Sequence, residues 1–270
     1  MARLVLVPTP IGNLGDITLR ALETLKNADV IAAEDTRHSG KLLEHYGIDK
    51  PLVRLDAHTI EARGAGVLER YEQVAFITDA GTPGISDPGS ELVRLALARG
   101  DAVEVLPGAT AFVPALVVSG LSTARFTFEG FLPRKGSARN ERLEAVATSE
   151  ATSIIYESPR RLAATLKDLL EVCGPMRQAS VSREVSKKFE TTYRGTLEAL
   201  LKDLGQSEVK GEIVIVVAPL EKETGEDDFT AQAERFAAEG LRGRDLRKAL
   251  TAVGVPRNVA YDLSLKVEAE

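Results

Sequence analysis

The densest run of chemistry-bearing residues is Thr78-Asp79-Ala80-Gly81-Thr82-Pro83-Gly84-Ile85-Ser86-Asp87-Pro88-Gly89. A plain turn needs fewer special residues than this run of glycines, prolines and aspartates. Such a segment offers free backbone N–H and C=O groups along a rigid arc, which suits a polar small molecule. Two shorter runs have the same character. Thr9-Pro10-Ile11-Gly12-Asn13-Leu14-Gly15-Asp16 places Gly12 and Gly15 where backbone can approach a ligand closely. It is neither G-x-G-x-x-G nor a Walker A loop, so it does not point to NAD or ATP phosphates, and an ordinary strand–helix turn would also explain it. Leu106-Pro107-Gly108-Ala109-Thr110-Ala111-Phe112 opens a helix with small residues. A fourth run, Ala33-Glu34-Asp35-Thr36-Arg37, sets two adjacent carboxylates beside a cation. One carboxylate can cap the helix that starts near Thr36. The alternative is acid–base or substrate-orienting work.

The second half of the chain adds cations. Arg134, Lys135, Arg139 and Arg142 face only Glu141 within residues 132–143, a local charge of +3. Tyr156-Glu157-Ser158-Pro159-Arg160-Arg161 and Arg183-Glu184-Val185-Ser186-Lys187-Lys188 each follow a strand pattern. Residues 240–258 carry Arg242, Arg244, Arg247, Lys248 and Arg257 against Asp245, a local charge of +4. Each stretch alone reads as a solvated face; together they fit an anionic substrate whose phosphates are gripped by short helices. His38, His45, His58 and Cys173 form no His/Cys zinc signature, so no metal is expected, and Cys173 reads as a small packed hydrophobe.

Strands alternating with helices must position these runs. Apolar runs at 4–7, 29–33, 74–78 and 102–106 read as buried strands, with helices from Leu19, over 36–46 and over 89–99. That alternation predicts a mostly parallel, doubly wound α/β sheet. Further on, strands are expected at 125–131, 153–156, 178–183, 189–194 and 212–218, with helices at 137–148, 160–172 and 196–204. The adjacent strands at 178–183 and 189–194 imply a mixed sheet. The expected organisation is one α/β domain over 1–115, a second over 116–220, an acidic linker over 221–228 with charge −4, and a helical domain of three short helices over 229–270.

The chain has 270 residues, 44% hydrophobic and 27% charged, with a formal charge of −6. That balance suits a globular protein and disfavours an indiscriminate nucleic-acid coater. One cysteine fits a reducing compartment, and no apolar run approaches the ~18 residues that span a bilayer. The start is broken by Pro8 too early for a secretory signal. A cytoplasmic protein without membrane association is expected.

Eight runs in order, from residue 9 to residue 213, carry a resemblance: TPIGNLGD, AEDTR, DAGTPGISDPG, LPGATAF, FEGFLP, YESP, RE-x-x-K and KGEI. Together they resemble the ribosomal RNA small-subunit methyltransferase I family, of the tetrapyrrole-methylase-like class. The likeness covers about residues 3–220 and is weaker in the tail. It implies two α/β domains with the cofactor, S-adenosylmethionine, in the cleft between them, a small helical C-terminal domain, and a homodimer. It also implies 2′-O-methylation of a cytidine ribose in the decoding region of 16S rRNA, within the 30S subunit. The cofactor residues it implies are Pro10, Asp79, Ala80, Gly81, Thr82, Pro83, Ser86, Asp87, Gly108, Ala109, Thr110, Ala111, Tyr156 and Glu157. Two departures stand out. The family's His-Glu-His-Asn-Glu reads Asp56-Ala57-His58-Thr59-Ile60 here, and its Glu-Ser-Pro-His-Arg has Arg160 in place of histidine.

A ribose hydroxyl attacks well only once it loses its proton, and a carboxylate or an amine can take it. Glu34, Asp35 and Lys187 are the expected catalytic group. Arg37, Arg134, Lys135, Arg183, Arg242, Arg244, Arg247 and Lys248 are the expected RNA contacts. Two other functions fit the same chain: a methyltransferase acting on a small molecule, which needs no basic tail, and an RNA-binding assembly factor that keeps only the fold.

Overall fold

The computed structural model describes residues 1–206, 209–220 and 226–269, with side chains for 1–206, 209–220 and 229–267. The chain forms two compact units, residues 1–220 and 221–270. The first holds two five-stranded sheets.

In the first sheet, β1 (Arg3–Leu6), β2 (Val30–Ala33) and β4 (Gln73–Ile77) are apolar runs because both their faces are covered. With β3 (Leu52–Arg54) and β5 (Ala102–Val105) they pair in the order β3-β2-β4-β1-β5, all parallel. Helices α1 (Leu19–Asn27) and α2 (Thr36–His45) pack on one face, where Leu25 and Leu43 meet Val5, Ile31 and Ile77. Helices α3 (Ile60–Arg70) and α4 (Ser90–Ala98) cover the other, where Ile60, Leu68 and Leu92 meet Leu4 and Phe76. After β1 the chain steps past β4 to reach β2; after β4 it steps past β1 to reach β5. Connections therefore leave two neighbouring strands in opposite directions, and a crevice opens beyond their carboxyl ends.

The second sheet contains β6 (Phe126–Phe131), β7 (Thr152–Glu157), β8 (Gln178–Arg183), β9 (Thr191–Thr196) and β10 (Ile213–Val217). Its order is β6-β7-β10-β8-β9, with only β6 and β7 parallel. Helix α5 (Phe112–Ser119) buries Ala115 and Leu116 on one face against Ile154, Val214 and Val216. Ile11, from the loop after β1, packs into that same cluster and joins the two sheets. On the other face lie α6 (Ser137–Thr148), α7 (Leu162–Cys173) and α8 (Leu197–Leu204), around Leu143, Leu166 and Leu200. The boundary expected at residue 115 falls inside α5.

The second unit packs α9 (Glu226–Ala238), α10 (Gly243–Ala252) and α11 (Arg257–Ala269) around Phe229, Leu246, Leu250 and Leu263. Of the expected linker, residues 221–225 lie outside the described residues and 226–228 belong to α9.

Two differences from the sequence pattern have local causes. The strand expected at 189–194 runs instead over Thr191–Thr196. The Glu190 carboxylate accepts the Ser186 N–H at 2.6 Å, and the Glu190 N–H donates to the Lys187 carbonyl, so Phe189 and Glu190 close a turn. Helix α3 is hidden from a propensity reading by Gly64 and Gly66. Gly64 is there for packing: a Cβ on it would stand 2.9 Å from Leu95 on α4.

Candidate active site

The loops after β1, β4 and β5 are knitted together at the crevice. Thr9 and Gly81 exchange two backbone hydrogen bonds of 2.9 and 3.0 Å, and Gly81 takes φ +79°, where a side chain would be strained. The Thr82 hydroxyl donates to the Ala109 carbonyl at 3.0 Å. Gly108 lies directly over the Pro8 ring. Strand ends of the second sheet close the opposite side. The result is a cavity of about 390 Å³ between the two sheets.

Most of the expected cofactor residues line this cavity. Asp79, Ala80, Gly81 and Thr82 do so, as do Ser86 and Asp87 from the same loop. Thr110 and Ala111 contribute from the loop after β5, and Tyr156 and Glu157 from the end of β7. Pro10 and Pro83 are buried and do not line it. Gly108 and Ala109 instead line an adjoining hollow with Asp16 and Ser186. The cavity is also lined by Ile11, Ile85, Phe131, Ser158 and Pro159, and by Gly211, Glu212, Ile213 and Val214 at the entry to β10, none of them among the residues expected to bind the cofactor. Their signal lies in the sequence: all but Val214 stand inside the eight runs quoted above, Ile213 closing KGEI.

Tyr156 and Glu157 differ in what they offer. The Tyr156 hydroxyl accepts the Phe112 N–H at 3.2 Å, its ring meets Phe128 and Phe131 edge-on, and burial pushes its pKa up to about 12. The Glu157 carboxylate is turned away from solvent. It accepts the Ser158 N–H and the Thr165 hydroxyl, both at 2.7 Å, and lies 3.3 Å from Arg161.

The three expected catalytic residues stand in different circumstances. Asp35 caps α2, accepting the Arg37 N–H at 2.8 Å. The hydrogen bonds from Arg37 hold its carboxyl well below the usual carboxylate range, which weakens it as a base. Lys187 pairs with Glu184 at 3.0 Å and Glu212 at 3.3 Å. Burial works against its charge, but the hydrogen bonds and charges of those two carboxylates prevail and raise its pKa, which keeps it protonated. Its stem lies across Gly12, where a Cβ would fall 2.2 Å from the Lys187 Cγ. Beside it the Ser186 hydroxyl donates to Asp16, so the β8–β9 loop is fastened to the loop after β1. Glu34 is half-buried and accepts the Asp79 N–H at 3.5 Å. Burial raises its pKa, helped by the charges of Asp79, Asp56 and Asp35.

The expected RNA contacts are scattered. Arg37, Arg134 and Lys135 are exposed on the first unit, and Arg183 is half-buried, its Nε without a partner among the described residues. In the second unit Arg244 and Lys248 are exposed. Arg242 donates to the Ala237 and Leu241 carbonyls, and Arg247 lies over the Tyr261 ring at 5.2 Å.

The profile of the family described as Tetrapyrrole (Corrin/Porphyrin) Methylases matches residues 3–201. The protein named "Ribosomal RNA small subunit methyltransferase I" in Synechocystis sp. is 43% identical over 278 residues, covering all of both chains. Its namesake in Xylella fastidiosa is 48% identical over 217 residues, 78% of this chain and 80% of that one. The chain belongs to the ribosomal RNA small subunit methyltransferase I family. The fold is shared with a uroporphyrin-III C-methyltransferase of Thermus thermophilus, solved in complex with S-adenyl homocysteine. That match has TM-score 0.59 and 23% identity, over 80% of this chain and 97% of that one.

As a family member the chain is a methyltransferase, and S-adenosylmethionine is its methyl donor. The cavity suits that cofactor. Its volume lies within the ~300–1000 Å³ of small-ligand pockets. Ile85, Phe131 and Val214 offer apolar walls for a purine, the Asp79–Thr82 backbone offers polar groups, and Asp79 and Glu212 offer negative charge to a sulfonium or an ammonium. When bound, the cofactor supplies a methyl group on a positively charged sulfur.

Proposed function

We propose that this methyltransferase 2′-O-methylates the ribose of a cytidine in the decoding region of 16S rRNA, acting on the 30S subunit in the cytoplasm. The observation that carries the reading is identity of about 40% or more along the full chain to proteins named for small-subunit rRNA. The chain's own residues have separable tasks in it. The cleft loops hold the cofactor through Asp79–Thr82, Ser86, Asp87 and Thr110–Ala111, with Pro10, Pro83, Gly108 and Ala109 backing them. Tyr156 and Glu157 form the wall from the second sheet. In-line positioning of hydroxyl and methyl supplies much of the rate. Glu34, with Asp35 and Lys187, orients the ribose; Arg37, Arg134, Lys135 and Arg183 take phosphates. The second unit adds Arg242, Arg244, Arg247 and Lys248 as further phosphate contacts. Local basic patches on an acidic chain support site-specific binding that weakens with salt, with specificity drawn from RNA shape and the 2′-OH.

The test uses small subunits purified from a strain lacking the gene. Incubation with the protein and labelled cofactor is expected to give one ribose-methylated cytidine, mapped by nuclease digestion and mass spectrometry. Label on a free tetrapyrrole or another small molecule, with none on RNA, would favour the small-molecule enzyme. Cofactor binding without transfer to any RNA would favour the assembly factor. Removing residues 229–270 is expected to cut turnover on subunits while leaving cofactor binding in place.

A homodimer is part of the same reading. Val113, Val117 and Val118 of α5 are 47%, 66% and 37% exposed, and Phe126, near Phe112 at the start of that helix, is 46% exposed. Interfaces cover exposed apolar side chains of this kind, which supports the dimer reading. Val117→Asp is expected to convert a dimer to a monomer in sedimentation equilibrium. Its melting temperature should stay near wild type at matched monomer content, since the site is exposed in the single chain. A wild type that sediments as a monomer would exclude the dimer.

A further inference from the structure

We propose that Asp87 takes the proton from the attacking hydroxyl; the proposal rests on the ribose reading above. The first support is an inventory of the carboxylates around the cavity. Glu157 is committed to Ser158, Thr165 and Arg161. Glu212 is paired with Lys187, Asp35 caps α2, and Glu34 takes the Asp79 N–H. Asp87 lines the cavity, and among the described residues its carboxylate has no hydrogen-bond donor and no cation. Asp79 also lines it with its carboxylate open, and the experiment below separates the two.

The second support is how Asp87 is presented. The Gly84 N–H donates to the Pro88 carbonyl at 3.0 Å and the Ile85 N–H to the Thr82 carbonyl at 3.2 Å, which closes the loop tightly. Ser86, next to Asp87, is held at φ +60°, a left-handed conformation uncommon for a residue with a side chain. It packs against Gly130, next to the bulge of β6 at Glu129, where a Cβ would stand 3.4 Å from the Ser86 Oγ. Strained residues persist where the surroundings fix them, and they gather at sites of function. Here the strain aims the loop from the first sheet at the cavity's far wall.

The third support is electrostatic. The groups acting on Asp87 are Glu34 at the end of β2, Asp79 at the end of β4 and Glu212 ahead of β10; Glu212 also pairs with Lys187, and Tyr156 on β7 feels the charge of Asp87. Asp87 is exposed to the open cavity; partial desolvation by the cavity wall, and next those three negative charges, push its pKa up to about 6. A carboxylate so placed is ionised at neutral pH and more basic than an ordinary one, which is what a general base needs. In the transfer step the hydroxyl oxygen bonds to the methyl carbon as that carbon's bond to sulfur breaks. The bonding pair stays with sulfur, leaving a neutral thioether, and the hydroxyl proton moves to an Asp87 oxygen.

The experiment compares wild type, Asp87→Asn and Asp79→Asn on small subunits. Asp87→Asn is expected to lower kcat by about 10²–10⁴-fold, well beyond whatever loss of S-adenosylhomocysteine affinity calorimetry shows for a residue in the cofactor cavity wall. In wild type, kcat/KM for the cofactor is expected to rise with pH through about 6 and level off. Asp87→Asn should lose that limb. The same group is read without turnover by carbon-13 NMR of labelled aspartates: Asp87 should titrate near 6 in wild type and lower in Asp79→Asn, which has lost a like charge. Ribose methylation by Asp87→Asn at near wild-type kcat would overturn the role of Asp87 alone. So would a fall in cofactor binding that matches the fall in rate, or an Asp87 carboxyl that titrates near 4. A methyl found on a base rather than on ribose would overturn the underlying reading, and with it the hydroxyl as proton donor.

Discussion

Glu157→Ala is expected to lower the stability of the 1–220 unit by about 3–5 kcal/mol, the range for breaking a buried ion pair by removing one partner. Glu157 is 2% exposed and stands at the end of β7, next to two residues that line the cavity. Its carboxylate holds the start of α7 through the Ser158 N–H, the Thr165 hydroxyl and Arg161. The network continues outward. The Thr165 Oγ1 accepts from Arg139 at 3.0 Å, and Arg139, itself buried, reaches Asp168 and the Pro133 carbonyl. Arg161 donates to the Leu132 carbonyl at 2.8 Å. Without the carboxylate, the buried Thr165 hydroxyl loses its acceptor, and the half-buried Ser158 N–H and the Arg161 Nε lose theirs, while Arg161 keeps its bonds to the Leu132 and Pro133 carbonyls; each group left unsatisfied carries a desolvation penalty. Glu157→Gln keeps the volume and one acceptor oxygen, so a smaller loss of about 1–3 kcal/mol is expected. Urea denaturation of the two variants against wild type checks the order and the size. A loss below about 1 kcal/mol for Glu157→Ala would contradict the network. Cofactor affinity should fall in the same order, because Tyr156 and Ser158 are placed by the strand end that Glu157 anchors.

The part of the site that was legible in the sequence is the part encoded locally. Gly81, Gly84 and Gly89 adopt positive φ, and Asp35 caps the helix that follows it. These features need only the residue and its neighbours, so composition and spacing reveal them. The same holds for the alternating strands and helices of the first sheet. What the sequence left out is set by partners far along the chain. Asp87 reads as a loop aspartate, and only folding brings Glu34 and Glu212 to bear on it. Lys187 reads as a candidate base, but Glu184 and Glu212 keep it protonated. Arg139 adds to a basic stretch in the sequence yet is buried in an ion pair with Asp168. The apolar wall from Phe131, Ile213 and Val214 was missed because a strand end facing a cavity has the same composition as one facing a core.

Gly108→Ala is expected to weaken cofactor binding by about tenfold or more, equivalent to 1.4 kcal/mol or above, and to lower stability by about 1–3 kcal/mol, the usual range for overpacking. The backbone conformation of Gly108 is one that alanine accepts, since its φ is not in the left-handed range. The obstacle is space. A Cβ at Gly108 would lie 2.4 Å from the Pro8 Cβ and 2.8 Å from its Cγ. Pro8 is buried, and its ring is fixed to the backbone, so it cannot rotate aside as a flexible side chain would. One of the two loops must therefore move. If the loop after β5 moves, the Ala109 carbonyl leaves the Thr82 hydroxyl, and Thr110 and Ala111 shift in the cavity wall. If the loop after β1 moves, the paired hydrogen bonds between Thr9 and Gly81 are strained. Either way the disturbance reaches the residues that hold the cofactor, because the three loops are fastened to one another. Calorimetry with S-adenosylhomocysteine measures the affinity, and chemical denaturation the stability. Pro8→Ala removes the ring Cγ and Cδ but keeps the Cβ that makes the closest contact, so the double variant should recover only part of the affinity. Wild-type binding by Gly108→Ala alone would mean that the loops do not depend on this close approach.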